Sequence, residues 1–307
     1  METPAWPEAF AKFGMPDPLE PARAAPRMRE ALLKASPHMD VRPPELAEVR
    51  DLEVPGGDGE IAARLYRPNG ADAPGPCTFF THGGGYVIGD LETHDRLCRR
   101  LAAKSGMRLL AVDYRLAPEH PWPAGVEDAL AAFDWLSGPG AETVGALPDQ
   151  LAVAGDSAGG GLAAILAQLR RDRIRFQLLI YPLLQLADRR KPKPKLLEGH
   201  LLSSFTLDQI VRAYLTDPDQ AHDLTVSPLL NPDLAGLPPA HIVAAELDPL
   251  LDEGQAYRDM LAAAGNSVSY AVGKALPHGY FNLTAVLPGA KVIVDETALI
   301  LGDGLRG

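Results

Sequence analysis

The sequence predicts a three-layer α/β protein built on a mostly parallel sheet. Strand-like and helical runs alternate along most of the chain. Several strand-like runs, such as "FQLLIYP" and "HIVAAEL", are continuously apolar. Such runs suit strands buried on both faces of a parallel sheet. The chain has 307 residues, 46% of them hydrophobic, which suits one large domain with at most a small accessory piece.

Residues 1 to about 45 are rich in Pro, Ala and Arg and carry no strand signal, and "EPARAAPRMREALLKAS" reads as a helix of modest length. Extended runs follow at 50–54, 61–67, 77–81, 108–114, 151–155, 176–181, 241–246 and 267–272. The first two are more polar and joined by "PGGDG", which predicts an antiparallel start at the sheet edge. Helical runs stand at 94–104, 123–136, 157–171, 253–264 and 288–301. About 60 residues separate Tyr181 from His241, more than one crossover needs, and "EGHLLSSFTLDQIVRAYL" within them reads as an extra helix.

The net charge of −11 argues against a general nucleic-acid binder. The basic run "RRDRIR" (170–175) reads as the solvated end of a helix, and "RRKPKPK" (189–195) as an exposed, Pro-interrupted loop. Cys77 and Cys98 cannot make a disulfide framework and read as buried small hydrophobes in a reducing compartment. The N-terminus lacks a signal-length apolar core, and no run reaches about 18 apolar residues. A soluble cytoplasmic protein without stable membrane association is expected.

"LAVAGDSAGGGLAAILAQLRR" passes from an apolar strand into a helix through Gly155-Asp156-Ser157-Ala158-Gly159. This is G-x-S-x-G in its required context of strand, sharp turn and helix. Side chains at Gly155 or Gly159 would clash with the neighbouring strand and helix. The turn lifts the Ser157 hydroxyl above the sheet, at a helix N-terminus that favours developing negative charge. Gly159 to Ala164 fits G-x-G-x-x-A formally, but inside the helix and with no ribose-binding acid about 20 residues on. No dinucleotide, other cofactor or metal is expected.

A serine nucleophile needs a base and an orienting carboxylate, in chain order Ser, Asp, His on loops after later strands. Asp248 directly follows "HIVAAEL", and His278 leaves the last strand in "VGKALPHGYF". Asp252 and Glu253 are fallback acids that sit where they would cap the next helix. Among the other histidines, His38 precedes the sheet, and His94, His120, His200 and His222 fall in segments without this geometry. His241 opens a strand, at the wrong end. In "FFTHGGGYVIGD", Gly83 and Gly84 are read as two backbone donors for an oxyanion, with Ala158 as the third. His82 is read as an anchor of that loop, and Gly85 completes the motif.

These pieces resemble the bacterial hormone-sensitive-lipase-like esterases, on the α/β-hydrolase fold. The matching stretches are "HGGGYVIGDLETHD", "VDYRLAPEHPWPA", "GDSAGG", "SPLL", "AELDPLLDEG" and "PHGY", in the family's order from about residue 45 to the end. The resemblance implies a triad of Ser157, Asp248 and His278, an oxyanion hole at Gly83, Gly84 and Ala158, and structural roles for Tyr114, Arg115 and Glu119. It implies a mostly parallel eight-stranded sheet flanked by helices, in a catalytic domain of residues 46–307. A helical cap would be made by residues 1–45 and an insertion at about 186–222. Gly161, Gln185, Tyr280 and the "RRKPKPK" run depart from the family pattern. The expected activity is hydrolysis of short- to medium-chain carboxylic esters through an acyl-enzyme. An amidase or deacetylase on the same triad, or a non-catalytic small-molecule receptor, are the alternatives. Phe10, Phe13, Leu201, Leu202 and Phe205 are candidates to line an apolar pocket. The last strand, at a sheet edge, is a candidate surface for a homodimer.

Overall fold

The computed structural model describes residues 21–188 and 202–306. The expectations for Phe10, Phe13, His200, Leu201 and the run at 189–195 fall outside the described residues. One eight-stranded sheet organises the chain. Strands β1 (Glu48–Pro55) and β2 (Glu60–Arg67) form an antiparallel hairpin at one edge, and β2 pairs antiparallel with β4 (Arg108–Val112). The remaining pairings are parallel: β4 with β3 (Gly75–Thr81), then β5 (Ala146–Asp156), β6 (Phe176–Ile180), β7 (Ala240–Leu247) and β8 (Val268–Pro277).

Period-two alternation sends neighbouring strand residues to opposite faces. Phe79 and Phe80 show the consequence. Phe79 packs with Val153, Leu179 and Ile242 under helices α3 (Ala124–Leu136), α5 (Ala158–Leu169) and α7 (Leu251–Ala263). Its ring meets Phe133 edge-on at 5.6 Å. Phe80 packs with Ala154, Ile180 and Val243 on the other face, under α2 (Asp95–Ser105) and α8 (Pro288–Arg306). The apolar strands are therefore apolar because both faces are covered.

A third apolar cluster lies above the carboxyl ends of the strands. It brings α1 (Pro21–Met39) and α6 (Ser204–Tyr214) together over the loop that follows β3. Tyr86 on that loop stacks on Tyr214 of α6 with ring centroids 4.0 Å apart. Arg29 of α1 donates to Val87 O at 2.8 Å and to Ala117 O at 2.9 Å, and pairs with Glu119 at 2.7 Å.

All eight expected strands form. The element ends differ where local signals are weak. β8 runs on to Pro277 through a register shift, with Ala275 at a φ of 55°. A short helix, α4 (Ala141–Val144), precedes β5 and was not expected. Arg170, at the end of α5, pairs with Asp134 at 2.7 Å, in keeping with a solvated helix terminus. Cys77 and Cys98 are buried and free, and burial pushes the Cys77 thiol up to about 12. Among the described residues no helix is long and apolar enough to cross a membrane.

Candidate active site

Ser157 stands between β5 and α5 with a φ of 54°, a left-handed conformation that costs a non-glycine residue about 1–3 kcal/mol. The turn is held by its backbone. Ser157 N–H donates to Ile180 O at 2.9 Å, and Ser157 O accepts from Leu183 N–H at 2.9 Å. Tight approach explains the flanking glycines: a Cβ on Gly159 would meet Thr81 O and, at 2.5 Å, His82 O. Thr81 Oγ1 donates to Gly159 O at 2.7 Å, which ties the end of β3 to the serine turn.

Asp248 follows β7 and His278 follows β8, so the loops of three parallel strands converge. His278 Nε2 lies 2.8 Å from Ser157 Oγ, and Nδ1 lies 2.8 Å from Asp248 Oδ2. Asp248 also accepts the Leu250 N–H at 2.8 Å. A carboxylate only accepts, so Nδ1 carries the imidazole proton and Nε2 is left to accept from the serine hydroxyl. The Tyr181 ring packs against the imidazole at 4.8 Å. The fallback acids lie elsewhere. Asp252 is exposed, and Glu253 accepts from Leu184 N–H at 3.0 Å and from Gln185 Nε2 at 3.3 Å.

The glycine loop corrects one expectation. Gly83 is not a free donor, because its N–H donates to Asp156 Oδ1 at 2.9 Å. Among the described residues the N–H groups of Gly84, Gly85 and Ala158 make no hydrogen bond. Gly84 and Gly85 have φ values of 125° and 64°, which a side chain rarely tolerates. A Cβ on Gly85 would also stand 2.5 Å from Ile210 of α6. His82 anchors the loop: Nδ1 is 2.8 Å from Gly83 O, its own carbonyl accepts from Tyr114 Oη at 2.7 Å, and the two rings stack at 4.4 Å. Burial, followed by the neighbouring His94, drops the His82 pKa to about 4, so His82 is neutral near pH 7.

Two site residues escaped sequence reasoning. His94, set aside as lacking geometry, has Nε2 3.4 Å from Asp156 Oδ1. Asn282 Nδ2 is 3.4 Å from Asp156 Oδ2. His94 precedes the first turn of α2, where the helix dipole disfavours a cation, so no local signal marks it. Only the folded approach of Asp156, 62 positions later, explains it. Burial would raise the Asp156 carboxyl, but His94, the Gly83 N–H and His82 outweigh it and hold the pKa low. Burial would likewise lower His94, but Asp156 and Asp90 together raise it.

Over these groups lies a cavity of about 280 Å³. Ser157, His278, Gly84 and Gly85 form its floor, and Met28 and Leu32 of α1 with Phe205 and Ile210 of α6 form much of its wall. Leu202 and Phe205 thus line it as expected.

The family pattern for the α/β hydrolase fold matches residues 78–282. The chain is 43% identical to Carboxylic ester hydrolase LipN of Mycobacterium tuberculosis over 81% of its own length and 68% of that protein's. It is 40% identical to Carboxylesterase NlhH of the same organism, over 91% and 87% of the two chains. The solved structure of an ester hydrolase from the metagenome of Lake Arreo, complexed with a bipyridine phosphonate derivative, is 40% identical. It superposes with a TM-score of 0.89 over 98% of this chain and 96% of that one. The chain belongs to the α/β-hydrolase family, among the bacterial hormone-sensitive-lipase-like esterases whose motifs it carries.

Proposed function

We propose that this protein is a serine carboxylesterase acting through an acyl-enzyme. The observation that carries this reading is the position of His278, 2.8 Å from both Ser157 Oγ and Asp248 Oδ2. His278 takes the hydroxyl proton as Ser157 attacks the ester carbonyl, then gives it to the departing alcohol. Water cleaves the acyl-enzyme by the same two steps. Asp248 orients the imidazole and stabilises its cation. The backbone N–H groups of Gly84, Gly85 and Ala158 hold the tetrahedral oxyanion. Their lack of any other acceptor among the described residues supports that role.

In this reading α1 and α6 belong to a helical cap, formed by residues 1–45 and about 186–222, over a catalytic domain. The mostly apolar wall of the 280 Å³ cavity above Ser157 favours acyl chains of short to medium length. Two M. tuberculosis relatives named as carboxylic ester hydrolase and carboxylesterase support the reaction class. Homodimerisation through the edge of β8 is proposed as well, since β8 pairs only with β7 among the described residues.

The test is turnover of p-nitrophenyl esters of increasing acyl length, with an arylamide included. The expected profile peaks at short to medium chains and shows little amide cleavage. Ser157→Ala is expected to lose about 10⁶ of kcat, as in other triads. Retention of a tenth of wild-type activity sinks the assignment.

A further inference from the structure

The geometry points to His94 as a positioning residue for the oxyanion donors, acting through Asp156 as a buried ion pair. The inference rests on the esterase reading above and adds a residue that the triad does not contain. Asp156 Oδ1 accepts the Gly83 N–H at 2.9 Å and lies 3.4 Å from His94 Nε2. One carboxylate oxygen therefore joins the root of the glycine loop to the imidazole. Gly83 is the residue from which Gly84 and Gly85 project, so the bond to Asp156 sets where their N–H groups point. Asp156 is also the residue before Ser157. The pair thus holds donor loop and nucleophile in one frame.

The protonation of His94 follows from its partners. Thr93 Oγ1 accepts the Asp90 N–H at 2.9 Å and lies 3.0 Å from both Asp90 O and His94 Nδ1. Asp156 is an acceptor toward Gly83, so its contact with His94 Nε2 calls for a proton on that nitrogen. Asp156 and Asp90 beside the ring raise its pKa and so favour the imidazolium. The ring is buried, and an unpaired charge there would be costly. The titratable groups facing it are Asp156 at the end of β5, Asp90 on its own loop, His82 with its ring 5.3 Å away, and His278 across the shared cavity. His82 is neutral near pH 7. The two carboxylates therefore balance one cation, and they raise its pKa.

A donor loop displaced by a fraction of an ångström stabilises the transition state less while leaving ester binding nearly unchanged. His94→Gln is expected to lose about 10- to 100-fold in kcat with KM within about threefold of wild type, below the 10²–10³ cost of removing one donor outright. Affinity for a trifluoromethyl ketone, which forms a tetrahedral adduct on Ser157, is expected to fall by the same factor as kcat/KM. Wild-type ketone affinity is expected to decline as pH rises through the His94 pKa, above the ordinary value of about 6.5, and His94→Gln to lack that decline. Should His94→Gln fail to fold, Thr93→Val removes the hydroxyl beside Nδ1, along with its two contacts to Asp90, and is expected to shift the alkaline decline. A His94→Gln enzyme with wild-type kcat, or one whose kcat falls while ketone affinity holds, overturns the proposal. So does a Thr93→Val profile that coincides with wild type. Wild-type ester turnover in the same assay reports on the esterase reading itself, so an active wild type with an unchanged variant removes the positioning role alone.

Discussion

Ser157 concentrates the cost of the site in one residue. Its φ of 54° is tolerated because Ile180 O and Leu183 N–H fix the turn, and because Gly159 lets the β3 end approach within contact distance. Gly159→Ala forces a methyl onto Thr81 O and His82 O, both backbone atoms that cannot swing aside. It is expected to destabilise the fold by at least about 1–3 kcal/mol and to abolish activity, read by denaturant unfolding and ester turnover. Gly85→Ala is a different case. It meets the side chain of Ile210, which can move, and strains a φ of 64°. Its expected effect is a loss of kcat of at least about 10-fold, given the 10²–10³ carried by one oxyanion donor, with a smaller change in unfolding midpoint. The role of Gly83 likewise turns on a single contact. Three consecutive glycines look equivalent in sequence, and only the carboxylate of Asp156, 73 positions away, distinguishes the first from the others.

At the level of elements, α6 sets the depth of the cavity above the serine. Ile210 rests on Gly85 and lines the cavity. Ile210→Ala is expected to shift the optimum in kcat/KM toward longer acyl chains by two or more carbons, since a truncated wall admits about one methylene per lost carbon. An unchanged chain-length profile would place the acyl group elsewhere. The elements themselves were largely legible. Runs such as "HIVAAEL" are apolar on both faces because α7 covers one face of the sheet and α8 the other, and that double burial is written in the residues. The far half of β8 was not legible, because Gly273, the left-handed Ala275 and the register shift at Ala245 erase the alternation that marks a strand. The approach of Ser157, His278 and Asp248 was legible because each proposed partner was sought at the end of a later strand. His94 was not, because its partner is assembled by long-range folding and its own position opposes the helix dipole.

Over the whole molecule, buried ionisable groups tie stability to pH. His82 has a folded pKa of about 4 against an unfolded value near 6.5. Its contribution is present above 6.5 and is lost as pH falls toward 4, an amount of about 3 kcal/mol. Asp156, held low in the fold, loses its contribution at lower pH still. His94 works the other way and loses its contribution as pH rises past its raised pKa. The thermal midpoint is expected to drop between pH 7 and pH 4.5, and a His82→Phe protein to show a shallower drop; a midpoint flat over this range contradicts the burial account. The proposed dimer is read by light scattering at micromolar concentration, where a monomeric mass removes it. In the proposed mechanism one hydroxyl, Ser157 Oγ, is activated by His278 and Asp248 for covalent chemistry. Stoichiometric reaction with an organophosphate, located by mass spectrometry, tests it most directly. One equivalent of adduct on Ser157 is expected, with none on a His278→Ala protein over the same interval. A wild-type protein that remains unlabelled, or carries its adduct on another residue, contradicts it.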